Sequence, residues 1–171
     1  MGKRFETEIL HGGKKSNSKI VSKVTPIYQT SAFAFKDLEE LEGFYHGNGQ
    51  YLYSRVGNPN TDELGEAVAR LEGAPAGVAS SSGLSAILAG VLAVVKNGDH
   101  IIAADDLYGG SFHMLKEELN QFGIETTFVS FKNLNDVEKE IKENTKLLYT
   151  ESITNPLLRV EDIKEIVELA R

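Results

Sequence analysis

AGVASSSGLSAILAGVLAVVKNGDHIIAA, residues 76–104, holds the strand–helix–strand passage that decides the fold class of this chain. Ala76–Ser80 reads as a short strand and Gly83–Val95 as a helix. Asn97-Gly98-Asp99 is a turn, and His100–Ala104 is a second strand. No charged residue interrupts Gly73–Val95, yet its first half is Gly, Ala and Ser around Pro75, and only Ala86–Val95 is strongly apolar. That is too short to span a bilayer, so the stretch reads as a buried strand, a turn and a buried helix, with no membrane partner.

The alternation continues on both sides. Asn60 with Glu63 resembles a capping box for a helix reaching about Leu71, closed by Gly73. A helix from about Ser111 to Phe122 is stopped by Gly123, and Glu125–Val129 follows as a strand. Asn135 and Glu138 cap a helix to Glu143, Leu147–Thr150 is a fourth strand, and Val160–Arg171 is a last helix. Strands alternating with helices through short turns predict an α/β fold, a mainly parallel sheet between helices.

Residues 1–60 show little periodicity. They contain the polar run Lys14–Ser18, a β-leaning patch Val24–Phe35 interrupted by Pro26, a short helix Asp37–Tyr45, the loop His46–Gln50 and a turn signal at Asn58-Pro59. An arm of this length without a core of its own is expected to wrap the body or to reach a neighbouring subunit. The expected organisation is an arm over 1–60 and an α/β domain over 61–171.

The chain has 171 residues, 41% hydrophobic and 25% charged, enough for one domain with a real core. It contains no cysteine, which removes disulfides, thiolate metal sites and any Cys nucleophile and fits a cytoplasmic protein. Lys plus Arg is 18 against 25 for Asp plus Glu, a net charge of −7. An acidic chain without a basic block is a poor partner for the nucleic-acid backbone.

Val78-Ala79-Ser80-Ser81-Ser82-Gly83-Leu84 passes from strand to helix. Free N–H groups at a helix start, with small residues allowing close approach, make an anion site. Gly83 and Leu84 N–H would cradle a phosphate with Ser82 as a hydroxyl donor; alternatively Ser82 is only an N-cap and Gly83 only permits the turn. Ala79–Gly83 also resembles a nucleophile elbow with Ser81 as a hydrolase nucleophile. That chemistry needs a His–carboxylate pair, and His100 opens a strand while His113 lies in an amphipathic helix. His11, His46, His100 and His113 have no metal-ligand spacing, and neither a P-loop nor G-x-G-x-x-G occurs.

Three further features matter together, two of them at the end where ligands bind in parallel sheets. Asp106-Leu107-Tyr108-Gly109-Gly110 follows a strand, and Tyr108 could stack on a planar ligand or be an ordinary loop Tyr. Tyr53 and Arg55, two apart in extended chain, face one side and suit a phosphate or carboxylate, or form a surface pair. Glu151 and Asn155 follow the fourth strand at the same sheet edge. Together these describe a seat for one flat anionic cofactor.

Y-S-R-V-G-N-P-N (Tyr53–Asn60), S-S-G-L-S-A-I (Ser81–Ile87), D-L-Y-G-G-S (Asp106–Ser111) and E-S-I-T-N-P (Glu151–Pro156), with T-P-I-Y-Q-T-S-A-F (Thr25–Phe33) before them, resemble the Cys/Met-metabolism (trans-sulfuration) family of pyridoxal-phosphate enzymes. The resemblance implies an aspartate-aminotransferase-like fold and pyridoxal 5'-phosphate as cofactor. It implies γ-elimination or γ-replacement on a sulfur-containing or homoserine-derived amino acid, in a cytoplasmic homo-oligomer built as a dimer of dimers. It implies that Gly83 and Leu84 hold the phosphate beside Ser82, that Tyr108 stacks on the pyridine ring, and that Tyr53 and Arg55 reach the cofactor of a neighbouring subunit. Asn155 would contact the ring oxygen or the substrate carboxylate, with Glu151 close by. Gly110 stands where methionine γ-lyases often carry Cys, which leans towards cystathionine-type or sulfhydrylase chemistry. Family members are roughly twice this length or more. The Schiff-base lysine and the aspartate for the pyridine nitrogen are therefore expected beyond Arg171, and the alternative is an inactive truncated or split fragment.

Overall fold

The computed structural model describes residues 4–11, 23–48 and 51–171. The polar run Lys14–Ser18 and the end of the His46–Gln50 loop, Gly49 and Gln50, lie outside the described residues. The chain forms two compact units, Met1–Ser80 and Ser81–Arg171.

The first unit contains α1 (Phe5–His11), α2 (Leu38–Tyr45) and α3 (Pro59–Leu71), with α1 packed on α3. The β-leaning patch is zipped to the segment before α3: Phe33 N–H donates to Leu52 O at 3.0 Å, Ser54 N–H to Ser31 O at 2.9 Å, and Ala32 and Tyr53 form an antiparallel bridge. Asn58-Pro59 is a helix start here, a correction to its reading as a turn and to the capping box at Asn60. Asn58 Oδ1 accepts the Asn60 N–H at 2.9 Å, and Pro59 takes the first helical position, where its fixed φ fits and its missing N–H is no loss. Asn60 is engaged elsewhere, its amide holding Tyr28 N–H at 2.8 Å and Pro26 O at 2.9 Å.

The expected strand Ala76–Ser80 is not a strand: it pairs with none among the described residues. Gly77 instead lies against α3 with its backbone on Gly65, so close that a Cβ on either would overlap the other's carbonyl.

The second unit is a three-stranded parallel sheet, β1 (His100–Ala104), β2 (Glu125–Val129) and β3 (Thr145–Tyr149), in the order β2-β1-β3. Ile101 sits opposite Thr126 on one side and Leu147 on the other. Every residue of β1 is buried, as a central parallel strand covered by helices requires. Ile101 and Ile102 are fully buried, each contributing about 1.5–3 kcal/mol of transfer free energy. Helices α4 (Gly83–Val94), α5 (Gly109–His113), α6 (Leu119–Gln121), α7 (Leu134–Lys139) and α8 (Ile163–Ala170) supply Val91, Phe112, Leu119, Val137 and Ile166 to the same core, Phe112 only partly buried.

Several boundaries differ from the pattern reading. A π-helical turn, Met114–Glu118, joins α5 to α6 within the expected regular helix, and it buries the consecutive Met114 and Leu115. Asn133, not Asn135, caps α7, accepting Asn135 N–H at 3.2 Å, and the helix ends at Lys139. β3 begins two residues before the expected Leu147. α8 starts at Ile163 because Asp162 Oδ1 accepts the Lys164 and Glu165 N–H groups, while Val160 is held in a bridge with Ile153. No helix among the described residues is long and apolar enough to cross a membrane.

Candidate functional site

The second unit brings six of the sequence-derived site residues to one end of its sheet. Ser82 is the N-cap of α4: its Oγ accepts the Ser85 N–H at 3.1 Å and lies 2.8 Å from the Ser85 hydroxyl. Its carbonyl takes the Ala86 N–H. Gly83 and Leu84, at the first two helical positions, keep N–H groups that no carbonyl of the helix can reach. A Cβ added at Gly83 would meet nothing within 4 Å, so the space beside this helix start is open. The cap and the anion seat are therefore compatible readings of one helix end.

Tyr108 ends the loop after β1 and precedes α5. Its ring is half-exposed, and Gly110 decides where it lies: a Cβ there would stand 2.6 Å from Tyr108 Cε1 and 3.2 Å from Leu84 Cδ1. The missing side chain lets the phenol ring fold back beside the start of α4. Glu151, in the loop after β3, accepts the Tyr108 N–H at 3.1 and 3.3 Å, so the loops of two neighbouring strands are tied together. Asn155 is exposed in the same loop and is joined to Pro156 by a cis bond.

Asp106 and Thr154 were not singled out from sequence, yet both are buried and Thr154 Oγ1 donates to Asp106 Oδ2 at 2.5 Å. They stand 48 residues apart, and no spacing pattern reports such a pairing. Two polar residues placed shortly after strands are the only signal the sequence carries.

Tyr53 and Arg55 belong to the first unit. The Arg55 guanidinium lies over the Tyr53 ring at 5.1 Å, a cation–π contact that keeps both polar ends on one surface. The histidines suited to a hydrolase triad are otherwise engaged. His100 is fully buried between the Thr145 and Thr127 hydroxyls, at 2.8 and 2.9 Å, and His113 is exposed beside Glu118 at 3.9 Å. Burial first, then Lys142, holds the His100 ring below its ordinary range. No cluster of His, Asp or Glu fit to hold a metal occurs among the described residues.

Residues 6–171 match the family model described as Cys/Met metabolism PLP-dependent enzyme. The chain belongs to this family. It is 40% identical over 167 residues to the L-methionine gamma-lyase of Porphyromonas gingivalis, which covers 97% of this chain and 42% of that protein. It is also 40% identical to the cystathionine beta-lyase MetC of Bacillus subtilis, over 98% of this chain and 41% of the relative. In structure it resembles a putative O-acetylhomoserine (thiol)-lyase of Campylobacter jejuni that carries a pyridoxyl-lysine phosphate. The TM-score is 0.91 at 31% identity, over 99% of this chain and 42% of the other. The chain thus spans less than half the length of these relatives, and the α/β fold expected from sequence is the fold of a pyridoxal-phosphate enzyme.

The residues of the second unit fit that cofactor chemically. Two unpaired helix-end donors before open space suit a phosphate dianion, and an aromatic face within reach of the same helix end suits a planar ring.

Proposed function

We propose that the protein carrying this chain is a pyridoxal-phosphate enzyme that eliminates or replaces the γ-substituent of a sulfur-containing or homoserine-derived amino acid. The single observation that carries this reading is the convergence of Tyr108 on the start of α4, made possible by Gly110. Gly83 and Leu84 N–H hold the cofactor phosphate, beside Ser82, which caps the helix. Tyr108 covers one face of the ring and excludes water from it; Glu151 fixes the Tyr108 backbone. Asn155 offers an amide to the ring oxygen or the substrate carboxylate. When bound, the cofactor supplies an electron sink for negative charge developing on substrate carbons.

Tyr53 and Arg55 are proposed to serve the site of a neighbouring subunit, with residues 1–60 as the arm that delivers them and 61–171 as the first part of the cofactor-binding domain. The assembly is proposed to be a dimer of dimers in the cytoplasm. Relatives named as a methionine gamma-lyase and a cystathionine beta-lyase support carbon–sulfur chemistry as the class. Titration of the full-length protein with pyridoxal phosphate tests the reading: saturable 1:1 binding that weakens in Tyr108→Ala supports it, and indifference to that substitution refutes it.

A further inference from the structure

We propose that Thr154 and Asp106 form a positioning brace that sets the separation between the ring-stacking Tyr108 and the amide of Asn155. The inference rests on the reading of those two residues as cofactor contacts. Thr154 is fully buried, and its hydroxyl works in both directions: it donates to Asp106 Oδ2 at 2.5 Å and accepts the Arg159 N–H at 3.0 Å. Its backbone is held as well, with Thr154 N–H donating to Arg159 O at 2.9 Å and Thr154 O accepting Leu158 N–H at 3.0 Å. Every hydrogen-bonding group of Thr154 is thereby used, and the residue cannot move without breaking several bonds at once.

Asp106 is 7% exposed, and the Arg159 guanidinium stands 3.8 Å from its Oδ2 and 3.9 Å from Asp105 Oδ1. A hydroxyl donating to a carboxylate is among the shorter and stronger hydrogen bonds. In a buried place the carboxylate is costly without it.

The consequence lies in the neighbours. Asp106 is two residues before Tyr108 in the loop after β1, and Thr154 is one residue before Asn155 and three after Glu151 in the loop after β3. The buried Thr154–Asp106 bond and the outer Glu151–Tyr108 bond fix the two loops at two points. Two points of attachment remove the hinge that a single tie would leave. A loop-borne site needs such support to hold its groups within the tolerance that binding demands.

The test is made on the full-length protein by titrating pyridoxal phosphate. It is read by absorbance and by the circular dichroism of the bound cofactor, with melting of the cofactor-free protein measured alongside. Thr154→Val is expected to raise Kd about tenfold or more and to reshape the dichroic band, and Thr154→Ser to bring both close to wild type. A Thr154→Val protein that loses melting temperature but keeps the wild-type Kd and band overturns the proposal. Asp106→Asn serves if that variant fails to fold, since it replaces the charged acceptor of the threonine hydroxyl with a weaker neutral one. It is expected to bind several-fold more weakly with an altered band, and wild-type values there overturn the proposal too. Tyr108→Ala separates the two readings. Binding at wild-type strength removes the site and the brace together, whereas weakened binding with unaffected Thr154→Val and Asp106→Asn removes the brace alone.

Discussion

Tyr108 shows how much of a site one missing side chain can decide. Its ring lies against Gly110, where a Cβ would stand 2.6 Å from the ring. Gly110→Ala is therefore expected to push the phenol aside and weaken cofactor binding several-fold. Tyr108→Ala should weaken binding by about tenfold, the ~0.5–1.5 kcal/mol of a ring pair plus its buried area, while Tyr108→Phe keeps most of it. Equal Kd values for Ala, Phe and Tyr at this position would show that no ring stacks there. At this scale the sequence was legible where chemistry is local. Gly83, Leu84, Tyr108, Glu151 and Asn155 each announce themselves by residue type after a strand or before a helix. Thr154 and Asp106 do not, because their meaning is a contact 48 residues long. Gly110 does not announce its close approach to the Tyr108 ring either, because that is a contact of the folded loop.

At the scale of elements, the buried apolar run of β1 and the uncharged run of α4 left no alternative, and both were placed within a residue. Helix starts were less legible, because several Asn and Asp residues compete for each cap and the winner is chosen by tertiary bonds. Asn60, drawn to Tyr28 and Pro26, leaves the cap of α3 to Asn58. Asn58→Ala should cost about 1–2 kcal/mol, since it removes the cap and the bond from Asn58 Nδ2 to Tyr28 O, and a thermal melt measures it. Ala76–Ser80 has strand-like composition but joins no sheet among the described residues, and ladder pairing is what makes a strand.

His100, held between threonines of β2 and β3, gives the sheet a pH response. Its ring is kept below the ordinary 6.5, so folding favours the neutral form. That stability is fully present above pH 6.5 and falls as the pH drops below it, where the unfolded chain takes up the proton and the folded one resists. Glu125 and Asp136, held low chiefly by hydrogen bonds from Lys142 and Lys139, act only in the lower carboxylate range. Urea unfolding at pH 7 and pH 5 should show a loss in wild type that His100→Gln flattens; an equal loss in both would contradict this.

For the whole molecule, the decisive question is which subunit's cofactor Tyr53 and Arg55 serve. If Tyr53 and Arg55 serve a neighbouring subunit, Arg55→Ala and Tyr108→Ala subunits mixed into one oligomer should regain cofactor sites that neither has alone. One site of each mixed pair then carries only wild-type residues. Absence of any regain in a mixture proven to exchange subunits would assign Arg55 to its own chain. The family was legible from four motif blocks in order, since close backbone approach to a phosphate and ring stacking tolerate few residue types. The identity of the substrate was not, because a chain covering 42% of its relatives holds only part of their pockets. The most direct measurement is a crystal structure of the full-length protein saturated with pyridoxal phosphate. The account requires the phosphate on the Gly83 and Leu84 N–H groups and the ring against Tyr108. A cofactor phosphate bound away from the start of α4 would contradict it.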